Sequence, residues 1–332
     1  MRRGRHDTFG APADDLAGAR ELAGGSPASL VANASSAEVV AVKDGEASAP
    51  NAEMACSEYT PTPLFALDVQ GACVTVWPAQ SSGNARNHAG EGGEEDDSNS
   101  SDDANRNTRD NHIGDNSNCL NHIVYLHVYD GDGLDVLSEC QRGACPPFTL
   151  VAIKPACWND DLTPWECPGL FADDAPFAGH AQDQLRLLEE EIIPQVEREC
   201  GKPNGARICR TVAGYSLAGL FTTWAAFNSS AFSRIASASG SLWYPDFTRF
   251  VTEAPLARPI DCAYFSLGSK EAKTPSRLLR NVATGTHEVV VAFRSKGVPT
   301  QFESNPGNHF KEPALRMARG ITWAISQQVT NR

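Results

Sequence analysis

No two of the ten cysteines in this 332-residue chain are spaced as CxxC. That absence excludes the usual zinc-ribbon and thioredoxin-type motifs. The HExxH spacing and clustered His/Asp ligands are missing as well, so the sequence implies neither a metal nor a cofactor. No run approaches the roughly 18 consecutive apolar residues of a membrane span. Nor does a continuous apolar stretch follow the basic start Met1-Arg-Arg-Gly-Arg-His6, as a secretory signal requires. Positive charge is scarce. The 28 lysines and arginines face 41 acids, for a formal net charge of −13, which argues against a nucleic-acid partner. The cysteines are scattered and mostly lie in apolar runs, which predicts free, buried thiols. These absences together lead us to expect a cytoplasmic protein with no membrane association.

The acidity is concentrated. Residues 80–118 hold nine acids and three arginines and so carry −6 of the −13. This stretch is rich in Asn, Asp, Ser and Gly and has nothing to bury, so it reads as a solvated insertion. Residues 1–56 are rich in Ala, Gly and Ser without a sustained period and are expected to form an unpacked tail. The folded domain should therefore span 57–332, interrupted at 80–118.

Within that domain, short apolar runs alternate with helical patterns. Strands are predicted at 63–68, 72–77, 123–128, 148–153, 207–213, 234–239, 262–267 and 300–304. Helices are predicted at 181–200, where Pro194 is a candidate kink, and at 218–227, 276–296 and 313–328. Apolar strands alternating with amphipathic helices imply an α/β fold, a three-layer αβα sandwich around a mostly parallel sheet.

The most informative stretch is Thr211-Val-Ala-Gly-Tyr-Ser-Leu-Ala-Gly-Leu220. Ser216 stands between an apolar strand and an apolar helix, with Gly214 two residues before it and Ala218 two after. A serine presented on such a strand-to-helix turn needs small residues at both flanking positions. The helix that starts after Ser216 supplies the N–H of Leu217 as an oxyanion donor.

A serine hydroxyl needs a base, and this arrangement places nucleophile, acid and histidine in that chain order. Only His287 and His309 follow Ser216. His287 falls inside a predicted helix, whereas His309 lies in the turn-rich loop Asn305-Pro-Gly-Asn-His-Phe310 beyond the last strand, the place for a general base. The acid should follow the penultimate strand. There Glu271 stands three residues after Gly268, while Asp261 precedes the strand and should lie at the opposite end of the sheet. Glu271 would hold the His309 tautomer and stabilise its imidazolium.

Five stretches carry a family resemblance: 158–165, 214–221, 239–245, 266–274 and 305–311. Through them the chain resembles the branch of the α/β-hydrolases that holds esterase D and the ferric-enterobactin esterase-like enzymes. The resemblance spans roughly Ile123 to Ile325. It implies an α/β-hydrolase fold, ester hydrolysis of a small molecule and no cofactor. It also supports Ser216 as nucleophile and His309 as base. Two positions depart from the family. Ser269 stands where relatives often carry Asp, which leaves Glu271 as the acid. The sequence Tyr129-Asp-Gly-Asp-Gly133 replaces the familiar His-Gly turn, with Gly131 or Asp132 nearest the second oxyanion donor.

Only about twenty residues separate the strands ending at Ser239 and starting at Cys262, so no large cap domain is expected. The aromatics Trp243, Tyr244 and Phe247 in that connection, with Trp158 and Trp165 opposite, are candidates to line a substrate pocket. Two other readings use the same residues: a catalytically silent binding protein of this fold, or a serine acyltransferase or peptidase. The sequence does not address oligomeric state. Deleting 80–118 should leave turnover of a small ester intact, and loss of that activity would contradict the reading of this stretch as an insertion without chemistry.

Overall fold

The computed structural model describes residues 61–79, 120–170, 174–200 and 207–328. The expected tail at 1–56 and the acidic insertion at 80–118 both lie outside the described residues. The account below concerns the unit formed by Glu53–Pro168 and Pro176–Arg332.

A hairpin opens the sheet. Strands β1 (Phe65–Val69) and β2 (Ala72–Trp77) pair antiparallel across a two-residue turn. Gln70 and Gly71 have φ of 52° and 86°. Two successive positive φ values match the right-handed twist of the flanking strands. β2 then pairs antiparallel with β4 (Thr149–Lys154), and every later pairing is parallel.

The remaining strands are β3 (Leu120–His127), β5 (Arg207–Tyr215), β6 (Arg234–Ala238), β7 (Cys262–Gly268) and β8 (Thr300–Asn305). The sheet order is β1-β2-β4-β3-β5-β6-β7-β8. From β3 the chain moves outward to β4, then returns to place β5 on the other side of β3. The loops that follow β3 and β5 therefore diverge, opening a crevice at the carboxyl ends of these strands, where ligands of open α/β sheets bind. His127 of β3 lies in register with Gly214 of β5 at the edge of this crevice.

Helices cover both faces. Val124, Leu126, Ala213, Ala236 and Tyr264 point to one side. There they pack with Val136, Leu137 and Cys140 of α1 (Leu134–Arg142) and with Met317, Ile321 and Ile325 of α8 (Pro313–Ser326). The alternate residues point to the other side. Tyr125 meets Phe232 edge-on and His127 meets Phe221 of α5 (Leu217–Asn228). Eleven consecutive residues of α5, Leu217 to Phe227, are buried, as an all-round apolar helix must be. Arg234 is fully buried in β6 and donates to the carbonyls of Ala324 (2.5 Å) and Gln327 (2.8 Å) at the end of α8. A cation there satisfies orphan carbonyls and complements the helix dipole.

The expected strands and the three-layer arrangement are present, and the helices differ in detail. The predicted helix 181–200 is α3 (Ala181–Leu187), a π-helical turn (Leu188–Ile192) and α4 (Ile193–Cys200). Pro194 has no N–H to give and its ring would strike the carbonyl four residues back, and the widened turn just before it relieves both conflicts. The predicted helix 276–296 begins later, with a 3-10 turn at Leu279–Asn281 and then α7 (Val282–Ser295). The buried stripe of Val282, Gly285, Thr286, Val289, Val290 and Phe293 starts only there. His287 lies on the exposed face of α7. The connection from β6 to β7 holds α6 (Phe247–Glu253) and no cap domain. Three short helices, α1, α2 (Trp158–Asp161) and α6, were not read from the sequence. Among the described residues no helix is long and apolar enough to cross a membrane.

Burial lowers the pKa of His127 to about 3; burial and then Arg234 lower that of His122 to about 4. Unfolded, both take a proton near the ordinary value of 6.5. Above that pH neither state is protonated and nothing is lost. As pH falls through 6.5 the unfolded chain gains protons that the folded chain refuses, so stability declines. Between pH 6.5 and 5, His127 alone should cost the fold on the order of 1–2 kcal/mol. Urea midpoints of the wild type and His127→Gln should therefore converge on acidification; parallel pH dependence would refute the assignment.

Candidate active site

The turn between β5 and α5 is set by one close approach. A Cβ on Gly214 would lie 2.3 Å from the backbone C and O of Ala218, so only glycine fits. The Ala218 methyl, fully buried, occupies the space that the missing side chain leaves. Alanine in place of a second glycine therefore needs no readjustment. Between them Ser216 has φ 61° and ψ −123°, a strained conformation for an L-residue. Ser216 is pinned on both sides. Its N–H donates to Ala238 (3.3 Å), and its carbonyl accepts from Leu220 (3.1 Å) and Ser241 (2.9 Å).

His309 sits in the loop between β8 and α8. Its Nε2 lies 3.0 Å from Ser216 Oγ and its Nδ1 lies 2.8 Å from Glu271 Oε2. The three side chains expected from chain order thus form one hydrogen-bonded line, although they come from the ends of three strands. The His309 side chain is 30% exposed and that of Glu271 only 3%. Glu271 is therefore not the surface charge that its neighbours Lys270 and Lys273 suggest.

A buried carboxylate needs partners. Glu271 Oε1 accepts from the Gly268 N–H (2.6 Å), the Ser239 hydroxyl (2.8 Å) and the Arg316 guanidinium (3.3 Å). Burial pushes its pKa up, but the bonds from His309, Ser239 and Gly268 outweigh it and hold the carboxyl below its ordinary value. Ser269, where relatives often carry Asp, accepts from the Gly307 N–H (3.4 Å) and links the acid loop to the histidine loop. Asp261 lies at the other end of β7, 3.9 Å from Arg234, as its position before the strand implies.

The Leu217 N–H belongs to the first turn of α5 and has no intrahelical acceptor. Gly131, with φ 75°, lies in the loop after β3 that the register sets beside the serine turn. The carbonyl of the next residue, Asp132, is held by the Trp77 indole N–H (2.8 Å). Of the expected pocket aromatics, Trp158 is half-buried and meets Tyr129 edge-on at 5.3 Å. Tyr129 is 40% exposed. Trp243 and Tyr244 are buried instead, packed with Phe177 and Trp165. The Tyr244 hydroxyl is committed to the Trp165 carbonyl (2.6 Å). These two rings are packed inside the β6–β7 connection and offer no open surface to a substrate. Among the described residues no group of three His, Cys, Asp or Glu side chains is placed to hold a metal ion.

Sheet order, the hydrogen-bonded line at the strand ends and the turn at Ser216 together decide the architecture. The fold is that of the α/β-hydrolases. Among solved structures, the siderophore hydrolase EstA from Aspergillus nidulans is similar with a TM-score of 0.55 and 16% identity, covering 84% of this chain and 98% of that one. The Aspergillus nidulans siderophore hydrolase EstB gives 0.53 and 17%, over 81% and 96%. An IroE-like serine hydrolase from Shewanella oneidensis gives 0.55 and 15%, over 78% of each chain. The uncharacterized protein YbbA of Bacillus subtilis is 27% identical over 210 residues, which is 60% of this chain and 84% of that protein. No family model matches the chain.

Tyr215, Ser239 and Arg316 were not singled out from the sequence. A signal existed for Arg316, which shares the buried stripe of α8 with Gly320 and Ala324 at four-residue spacing. A charge on an apolar stripe asks for a partner. Replacing Ser216 by glycine should relieve the backbone strain. Ser216→Gly is expected to be about 1 kcal/mol more stable than Ser216→Ala in denaturant unfolding, and equal stability would show that the turn is unstrained.

Proposed function

We propose that the chain is a serine esterase that cleaves carboxylic esters of small molecules through an acyl-enzyme intermediate. The observation that carries this reading is the continuous line Glu271–His309–Ser216, its acid buried and its serine beside the opening N–H of a helix. The likeness in fold to two siderophore hydrolases and a serine hydrolase supports it.

Ser216 Oγ attacks the ester carbonyl while His309 Nε2 takes its proton. Glu271 holds the Nδ1–H and stabilises the imidazolium as it forms. The Leu217 N–H, together with a donor from the loop at Gly131, receives the oxyanion. Each such donor is worth about 10²–10³-fold in rate. His309 then protonates the leaving alcohol, and water, activated by the same histidine, releases the acyl group. No step draws on a cofactor. Tyr129 and Trp158, in contact on the loops after β3 and β4 and open in part to solvent, would offer the substrate an apolar surface.

Turnover of a panel of small ester, thioester and amide substrates tests this reading. Esters should be the preferred class. Ser216→Ala and His309→Gln should each lower kcat on the order of 10⁴-fold or more, and Glu271→Gln less. Unchanged turnover in Ser216→Ala would refute the reading. An amide or acyl-transfer preference would keep the serine chemistry and replace the acceptor.

A further inference from the structure

Arg316 is among the most completely buried side chains described, 2% exposed, and it lies on the stripe of α8 that faces the sheet. Its Nη1 approaches three acceptors: Tyr215 Oη at 3.2 Å, Glu271 Oε1 at 3.3 Å and Ser239 Oγ at 3.4 Å. Its Nη2 donates to the Pro306 carbonyl at 3.0 Å. These partners come from four different places. Tyr215 immediately precedes the nucleophile, Ser239 follows β6, Glu271 is the acid, and Pro306 begins the histidine loop.

Tyr215 extends the set. Its hydroxyl donates to the backbone carbonyl of His309 at 2.5 Å, so its oxygen is left to accept from Arg316. The guanidinium thus touches the acid directly, the start of the histidine loop directly and the histidine backbone through one tyrosine.

Stability does not account for this burial. The Arg316 Nε has no partner, and a buried ion pair is often no better for stability than an apolar side chain of similar volume. Methionine or leucine would suit the apolar stripe. Space around the pair has also been kept clear: a Cβ on Gly268 would lie 2.7 Å from Glu271 Oε1 and 3.0 Å from Arg316 Nη1.

We propose that Arg316 is a positioning residue that locks the acid, the histidine loop and the nucleophile turn into one geometry, with Tyr215 as its link to His309. It touches no reacting atom. It acts through Glu271 and through the backbone of His309, whose ring must meet Ser216 within a few tenths of an ångström. The proposal rests on the esterase reading.

The test is steady-state turnover of a small ester by the full chain, with unfolding followed in parallel. Wild type that hydrolyses no ester would remove the esterase reading and this assignment with it. Given an active wild type, Arg316→Met should lower kcat about 10²-fold while KM stays within about twofold. Arg316→Lys keeps one cationic contact to Glu271 and should recover part of that loss. Tyr215→Phe leaves the Arg316–Glu271 pair intact but removes the donor to the His309 carbonyl and one acceptor of Arg316, and should lower kcat several-fold at unchanged KM. Because both residues act through the same link, the Tyr215→Phe and Arg316→Lys losses should add to less than their sum. If Arg316→Met does not fold, the last two variants and their combination decide. Folded Arg316→Lys and Tyr215→Phe enzymes with wild-type kcat would overturn the assignment, as would losses confined to KM or matched by the fraction unfolded.

Discussion

The contact on which the site depends is the approach of Gly214 to the backbone of Ala218. With no Cβ between them, β5 runs straight into α5 with only Ser216 at the bend, and that residue absorbs the turn in a strained conformation. The strain is held by hydrogen bonds from β6 and the loop after it, where Ala238 and Ser241 grip the Ser216 peptide. A buried apolar helix on one side and a fully paired strand on the other make the turn over-determined. That is the condition under which such a conformation persists.

Everything else at the site is brought to that bend by sheet order. β7 and β8 lie progressively farther from β5, and their loops must reach back over the strand ends to meet the serine. Buried polar groups do the reaching. Glu271 is held by four donors, Ser269 joins the acid loop to the histidine loop, and Tyr215 holds the His309 backbone. Pairing of this kind rigidifies the loops, since an unpaired buried group costs more than a bond returns; the Arg316 Nε is the exception in the network. The exposed side of the site differs in kind: Phe310, whose ring meets that of His309 edge-on at 5.3 Å, remains open to solvent, as does Tyr129 in the loop after β3.

Much of this was legible in the sequence. Strand positions followed from apolar runs of the right length, and Ser216, Glu271 and His309 followed from chain order at strand ends. The π-helical turn before Pro194 was not legible as such, because proline announces a conflict without saying how the backbone resolves it. The late start of α7 was hidden because a pattern of apolar residues does not reveal which of them meet the sheet. Trp243 and Tyr244 looked like pocket walls because aromatic clusters in connections are as suited to packing as to binding, and here packing won. Arg316 carried a signal, a charge on the buried stripe of its helix, but its role became legible only with the strand ends and loops it faces.

The central claim is that Ser216 is a nucleophile activated by His309, and covalent labelling tests it most directly. A fluorophosphonate should phosphonylate the wild-type protein once, with the added mass on the tryptic peptide 211–234 and at Ser216 within it, and should fail to label His309→Gln at a comparable rate. A folded wild-type protein that takes up no label at Ser216, or that labels equally well without His309, would contradict the account.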